Sequence, residues 1–263
     1  MKQVWLITGS SRGLGRALAE AVLAAGHQLV ATARKPEQLS DLVERYGEQV
    51  RAVALDVTDE TAVHDAVKAA VDAFGRLDVL VNNAGYGNVG SIEDTSLEDF
   101  RAQIETNLFG TISLSKAAIP LMREQGAGHI IQVSSVGGRM PTPGMSAYQA
   151  AKFAVGGFSE VLAQEVAPPA VGLELRRVVL FNTIDRITAE QQAQWWLIQS
   201  GDMHDDGRGP FRIARLLAVI VALVARHATH GGVVFGAALA QRGRCAGEIG
   251  TEAARFNDGH LDA

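Results

Sequence analysis

One cysteine, Cys245, stands in a chain of 263 residues. A lone thiol excludes an internal disulfide, and no Cys/His spacing resembles a ligand set, so disulfide-stapled and zinc-stabilised folds are set aside and no metal is expected. Lack of disulfides fits a reducing compartment, and a cytoplasmic location is expected. Basic charge is scarce as well: 24 Lys and Arg against 29 Asp and Glu leave a net charge of -5, with no basic cluster. That gives no support for nucleic acid as a partner. Long apolar runs are missing. The most apolar stretch, "LLAVIVALVA" at residues 216–225, is closed off by Arg215 and Arg226 and falls short of the roughly 20 residues needed to cross a bilayer. It reads as a core-packed helix, and no membrane partner is expected. The start of the chain lacks the basic, apolar and small-residue pattern of a signal peptide, so no leader is expected. There is no internal repeat, low-complexity tract or linker composition, which makes one domain over residues 1–263 the expectation.

What the chain does have is alternation. Hydrophobic residues make up 47% and charged residues 20%, ordinary for a globular protein long enough to bury a large core. "VWLI" at residues 4–7 reads as a buried strand, and "LGRALAEAVLAAG" at 14–26 has helical apolar spacing ending on a glycine stop. "QLVATA" near Gln28 is followed by a helix over 37–46. "VRAVALDV" near Val50 precedes a helix over 60–74, and "LDVLVNNAG" near Leu77 precedes one over 97–124. "HIIQVSS" from His129 reads as a strand, residues 146–166 as a helix, and "LELRRVVLF" as a less regular sixth strand. Short apolar strands separated by helices imply right-handed crossovers, hence a doubly wound, mostly parallel α/β sheet with helices on both faces. In such folds ligands bind beyond the C-terminal ends of the strands. The ends of the first five strands, "TGSS", "ATAR", "LDV", "NNAG" and "VSS", therefore converge on one crevice.

The first of those ends is "TGSSRGLG" at residues 8–15. At a strand-to-helix turn the first helical N–H groups lack partners and the helix dipole presents its positive end, an anion site provided side chains stay away. Gly9, Gly13 and Gly15 keep them away, although glycines can equally serve only to shape a tight turn. Further along, Tyr148 and Lys152 of "YQAAK" fall four residues apart on one helix face. A phenol ionises near pH 10, and bringing that to about 7 takes roughly 4 kcal/mol of preferential phenolate stabilisation, much of which a neighbouring ammonium can supply. The plain alternative is a Tyr and a Lys lining a helix surface. Ser135 closes "HIIQVSS" at the same sheet edge, where its hydroxyl can hold a carbonyl oxygen or simply cap a turn. Asn107 of "TNLFG" lies inside a helix, where an amide often faces solvent.

Taken in order, "TGSSRGLG", the "DV" at Asp56, "NNAG" at residues 82–85, Asn107, Ser135 and "YQAAK" resemble the compact, single-domain branch of the short-chain dehydrogenases/reductases, over roughly residues 2–167. The resemblance implies that Tyr148 is the general acid/base, that Lys152 holds the nicotinamide ribose and lowers the Tyr pKa, that Ser135 orients the substrate oxygen, and that Asn107 supports a water-mediated proton path. Ser135 is preferred to Ser134 because it stands thirteen residues before Tyr148, the family spacing. The same resemblance puts Gly9, Ser11, Gly13 and Leu14 at the pyrophosphate, Asp56 and Val57 at the adenine, and Asn83, Ala84 and Gly85 at the adenosine ribose and nearby backbone. It further implies a homodimer or homotetramer built on the long helices at 97–124 and 146–166.

The sixth strand departs from the pattern. The family carries a Pro-Gly followed by three residues and a Thr, a loop that closes over the nicotinamide; here "RRVVLFNT" puts Thr183 at the Thr position and Val178 and Val179 in place of Pro and Gly. Two β-branched residues favour a continued strand over a turn. Thr183 is still expected to bind the cofactor.

The second strand speaks to cofactor choice. An acidic residue at its end holds a ribose 2′-OH, whereas a nearby arginine accommodates a 2′-phosphate. Here "ATAR" has Ala33 at the acidic position and Arg34 next to it, and Arg12 in the glycine turn projects toward the same edge unless it is only a solvated surface charge. NADP(H) is the expected cofactor. The expected reaction interconverts a secondary alcohol and a ketone or aldehyde, with a small-molecule carbonyl or alcohol as substrate. A non-catalytic NADP(H)-binding sensor or structural protein is the alternative, motivated by the altered loop; a sugar-nucleotide epimerase of the longer branch is disfavoured by its different glycine spacing and larger C-terminal domain. Residues 184–210 are expected to cover the substrate, where Trp195 and Trp196 either wall an apolar pocket or pack the segment down.

Overall fold

A computed structural model describes residues 2–166, of Val136 the backbone alone, and the backbone of residues 175–183. The expected covering segment at 184–210, its two tryptophans, Cys245 and the apolar helix at 216–225 lie outside the described residues. Six strands form one parallel sheet: β1 (Val4–Ile7), β2 (Gln28–Ala33), β3 (Val50–Ala54), β4 (Val79–Asn82), β5 (Gly128–Ser135) and β6 (Leu175–Thr183). Their spatial order is β3-β2-β1-β4-β5-β6, and every neighbouring pair is parallel. The order reverses between β1 and β4. At such a switch point the connecting helices leave to opposite faces and open a crevice above the strand ends.

The helices are α1 (Gly13–Ala24), α2 (Ser40–Tyr46), α3 (Glu60–Phe74), α4 (Leu97–Ile104), α5 (Gly110–Glu124) and α6 (Ser146–Glu165). Alternation along each strand sorts the core into two layers, because successive side chains point to opposite faces. Val4 and Leu6 of β1 join Leu80, Ile130 and the inner faces of α3, α5 and α6, through Val63, Val67, Leu114, Met122 and Leu162. Trp5 and Ile7 join Val79, Val81, Ile131, the inner faces of α1 and α2 through Leu18, Val22 and Leu42, and Leu39 just before α2. Since both faces are covered, the strands read as continuous apolar runs, as parallel strands must. Among the described residues no helix is long and apolar enough to cross a membrane.

Two elements differ from the sequence expectation. The single helix expected over 97–124 is interrupted: Glu105–Phe109 forms a π-helical turn between α4 and α5. The helix expected over 37–46 begins as a short 3-10 turn at Pro36–Leu39, where proline supplies a fitting start for a helical segment, before α2. The sixth strand does form, and it runs straight through the expected loop position: Val178 pairs with Ile130 and Val179 with Ile131. Its irregularity lies earlier. Leu175 faces Gly128 and Arg177 faces His129, so the register slips at Arg176.

Candidate active site

The glycine turn is built as its composition requires. Gly9 has φ 70° and Gly13 φ 57°, both in the left-handed region that other residues enter at a cost. Gly15 is required for a different reason: a Cβ there would lie 2.3 Å from the Gly9 carbonyl oxygen and 2.4 Å from Asn83 Nδ2. α1 thus begins pressed against the turn. Its first turn has neither a side-chain cap nor an acidic residue, so the positive end of the helix faces the crevice uncompensated by protein.

Thr8 and Asn83 lock this turn to the end of β4. The Thr8 Oγ1 accepts hydrogen bonds from the backbone N–H groups of Asn83 at 2.9 Å and Ala84 at 2.8 Å. Asn83 Nδ2 donates in return to the carbonyl oxygens of Thr8 at 2.8 Å and Gly9 at 3.3 Å. The Asn83 amide is therefore occupied in shaping the turn. No spacing rule marks Thr8 in the sequence, because its partner Asn83 lies 75 positions away. Ser11 and Leu14 sit half-buried in the turn, and Arg12 and Gly13 are exposed.

Three arginines surround the turn, and only one is committed. Arg16 donates from Nε to Glu20 at 2.8 Å and pairs with Asp41, tying α1 to α2. The Arg16 guanidinium holds the Asp41 carboxyl below the usual carboxylate range. Arg12 and Arg34 are exposed and form no ion pair among the described residues. Ala33, buried, and Arg34 follow one another at the end of β2, with no carboxylate at that strand end to repel a phosphate.

On the adenine side, Asp56 is exposed, with Oδ1 accepting from the Thr58 N–H at 3.0 Å and the Thr58 hydroxyl at 2.8 Å, an Asx turn. Val57 is buried against the start of α5, where a Cβ on Gly110 would come within 2.5 Å of Val57 Cγ2. Gly110 is thus a packing requirement that its place in "TNLFG" does not advertise.

Tyr148, Lys152, Ser135 and Asn107 gather on the other half of the crevice, and all four are at most 5% exposed. Tyr148 and Lys152 share the face of α6 that packs on β5, with Lys152 Nζ 5.7 Å from the Tyr148 ring centroid. Lys152 Nζ also donates to the Val133 carbonyl oxygen at 2.8 Å, which anchors the buried cation to β5. Ser135 ends β5, and its Oγ accepts from the Gly137 N–H at 3.1 Å. Ser134, passed over on spacing, donates to the Lys152 carbonyl oxygen at 3.3 Å and so braces α6. Gly87 makes room for the Tyr148 ring: a Cβ there would lie 3.1 Å from Tyr148 Cδ2.

Asn107 does not face solvent. It lies in the π-helical turn, fully buried, accepting from the Tyr86 N–H at 3.0 Å and donating to the carbonyl oxygens of Tyr86 at 2.8 Å and Gln103 at 2.9 Å. The extra residue of a π turn often accompanies a functional position. Gly85 separates Asn107 from Lys152: a Cβ at Gly85 would lie 2.4 Å from Asn107 Oδ1 and 3.7 Å from Lys152 Nζ. Thr183 ends β6 directly opposite Ser135, so it stands at the sheet edge itself and not in a loop beyond it.

Comparison with known proteins places this arrangement. The family model described as short chain dehydrogenase matches residues 3–177, ending before Val178, Val179 and Thr183. An oxidoreductase named BOA17 from Botryotinia fuckeliana is 60% identical over 168 residues, covering 64% of this chain and 61% of that protein. A 3-ketodihydrosphingosine reductase from Bacteroides thetaiotaomicron is 41% identical over 181 residues, covering 69% of this chain and 65% of that one. The matched region thus spans less than two thirds of the length of these relatives. Among solved structures, a short-chain dehydrogenase from Streptomyces avermitilis superimposes with a TM-score of 0.70 at 32% identity, covering 99% of each chain. A metagenomic short-chain oxidoreductase in complex with NADP gives 0.66 at 29% identity, over 83% of this chain and 89% of the other. With the family match running through most of the sheet and all four buried polar residues of the crevice, the chain belongs to the short-chain dehydrogenase family of oxidoreductases.

Proposed function

We propose that the chain is an NADP(H)-dependent oxidoreductase that interconverts a secondary alcohol and a ketone or aldehyde, with a bulky apolar carbonyl compound as its substrate. The observation that carries this reading is the meeting, at one sheet edge, of an uncapped glycine turn with buried Tyr148 and Lys152 on α6 and Ser135 at the end of β5. The residues fit a nicotinamide dinucleotide. A Cβ at Gly15 would fill the space in which the turn packs, the α1 N-terminus suits a pyrophosphate, and Arg12 and Arg34 suit a 2′-phosphate. Gly9, Ser11, Gly13 and Leu14 would hold the pyrophosphate, Asp56 and Val57 the adenine, Asn83, Ala84 and Gly85 the adjoining ribose, and Thr183 the nicotinamide side. When bound, the nicotinamide supplies a hydride to the carbonyl carbon.

The chain's own residues supply the rest. Ser135 fixes the carbonyl oxygen by donating a hydrogen bond from Oγ, and Tyr148 gives that oxygen its phenolic proton. In the alcohol-oxidising direction the same two residues act in reverse, with the tyrosine oxygen accepting the hydroxyl proton. The Lys152 ammonium beside the ring favours the phenolate through charge and holds the nicotinamide ribose. Asn107 fixes Tyr86 beside Gly85, whose other neighbour is Lys152, and in this reading it supports a water-mediated path that returns a proton to Lys152.

The substrate class draws on the relative from Bacteroides thetaiotaomicron, which is named a 3-ketodihydrosphingosine reductase. The proposal includes a cytoplasmic location and a homodimer or homotetramer through α4, α5 and α6, on which Leu97, Phe153 and Val161 are exposed. Sedimentation giving only monomer would remove the oligomer. The second reading, NADP(H) binding without turnover, is favoured by β6 continuing through Val178 and Val179, where the family closes a loop. Incubating the protein with NADPH and a panel of ketones and aldehydes, long-chain ketones included, separates the two. Consumption of NADPH with an apolar ketone supports the enzyme; tight NADPH binding with no consumption on any carbonyl supports the binding protein.

A further inference from the structure

The segment after β5 reads "RMPTPGM", and its two prolines leave Thr142 as the only residue of 141–143 with a backbone N–H. Such a segment cannot form a ladder of its own and must find partners elsewhere for the groups it keeps. It finds them in one side chain. Gln149, buried on α6 next to Tyr148, accepts from the Thr142 N–H through Oε1 at 2.8 Å and donates through Nε2 to the Met140 carbonyl oxygen at 3.0 Å. The two bonds straddle Pro141, so the carboxamide works as a substitute strand edge.

Room for this clamp is provided by Gly137, where a Cβ would come within 3.2 Å of both Cγ and Nε2 of Gln149. The Gly137 N–H donates to Ser135 Oγ, so the clamp adjoins the residue assigned to the substrate oxygen. The clamped segment also reaches the loop that follows β4. Gly144, at φ 80°, accepts from the Gly90 N–H at 2.9 Å, and Met145 Cε lies 3.6 Å from the Cβ position of Gly87, the residue packed on the Tyr148 ring. None of these contacts involves the glycine turn, Arg12 or Arg34. Met140, at the clamp itself, leaves an apolar side chain 57% exposed.

We infer that Gln149 is a positioning residue for substrate: by clamping Met140 and Thr142 it fixes the segment beside Ser135 and Tyr148, and so sets carbonyl affinity without touching cofactor affinity. This rests on the carbonyl-reducing reading above. The experiment compares wild type, Gln149→Leu and Gln149→Glu. NADPH affinity is measured by fluorescence titration, kcat and KM with the best ketone of the panel, and exchange of the Thr142 amide with deuterium. Gln149→Leu is expected to raise KM for the ketone about tenfold or more, to leave NADPH affinity within about twofold, and to speed exchange at Thr142. Gln149→Glu keeps the acceptor for Thr142 but meets the Met140 carbonyl with a carboxylate oxygen. Its KM should therefore fall toward wild type as the pH drops and the carboxyl regains a donor, whereas the leucine variant should show no such trend. Unchanged exchange, or faster exchange with unchanged KM, overturns the inference while leaving the activity standing. A wild-type protein that turns over no carbonyl removes both.

Discussion

Arg12 and Arg34 are exposed and have no carboxylate partner among the described residues, whereas Arg16 is held by Glu20 and Asp41. A charge-assisted hydrogen bond to phosphate contributes roughly 1.5–3 kcal/mol, so one of them alone can favour a 2′-phosphorylated cofactor about tenfold. Arg34→Asp is expected to lower kcat/KM for NADPH sharply and to invert the preference toward NADH, and Arg12→Ala to reduce it less; parallel kinetics with both cofactors measure this. Gly15→Ala should act more broadly, since its Cβ would meet the Gly9 carbonyl oxygen, an atom that moves only with the backbone. A loss of about 1–3 kcal/mol in urea unfolding and weaker NADPH binding are expected. Residues of the turn were legible from sequence because their chemistry is local. The tasks of Thr8, Asn83, Gly110 and Gln149 were not, because each depends on a group brought close only by the fold.

At the scale of elements, boundaries follow local signals wherever such signals exist. α3 spans the expected residues because Asp59 caps it, accepting from the N–H groups of Thr61 at 2.8 Å and Ala62 at 3.1 Å, and Gly75 ends it at φ 78°. Asp59→Ala should cost about 1 kcal/mol and lower the melting temperature by about 2–4 °C, with kcat unchanged. The π turn at Glu105–Phe109 carries no comparable mark. Apolar spacing continues across it, and the turn is held by Asn107 gripping Tyr86, a contact across 21 positions. β6 shows the opposite case: Val178 and Val179 favour extension locally, and the strand indeed runs past the point where the family would turn.

Across the whole molecule, the doubly wound topology could be read from the alternation of short apolar strands and helices, since a parallel sheet buried on both faces permits little else. One buried group lies at the edge opposite the crevice, where no sequence signal marks it. His27 is buried, its Nδ1 accepts from the Gln3 N–H at 3.1 Å, and burial pushes its pKa below the ordinary 6.5. Below about pH 6.5 the unfolded chain takes up a proton that the folded chain refuses, so stability should fall as pH drops through that value and level off once folded His27 also protonates. Urea unfolding between pH 7.5 and 5 checks this, and His27→Gln should flatten that part of the profile. The proposed activity depends on acid/base chemistry through Tyr148. Tyr148→Phe keeps the ring packed against Gly87 and removes only the hydroxyl. Measured side by side with wild type, it should bind NADPH with unchanged affinity while ketone-dependent NADPH oxidation falls about 10²- to 10⁴-fold. Turnover within a few-fold of wild type would rule Tyr148 out as the proton donor.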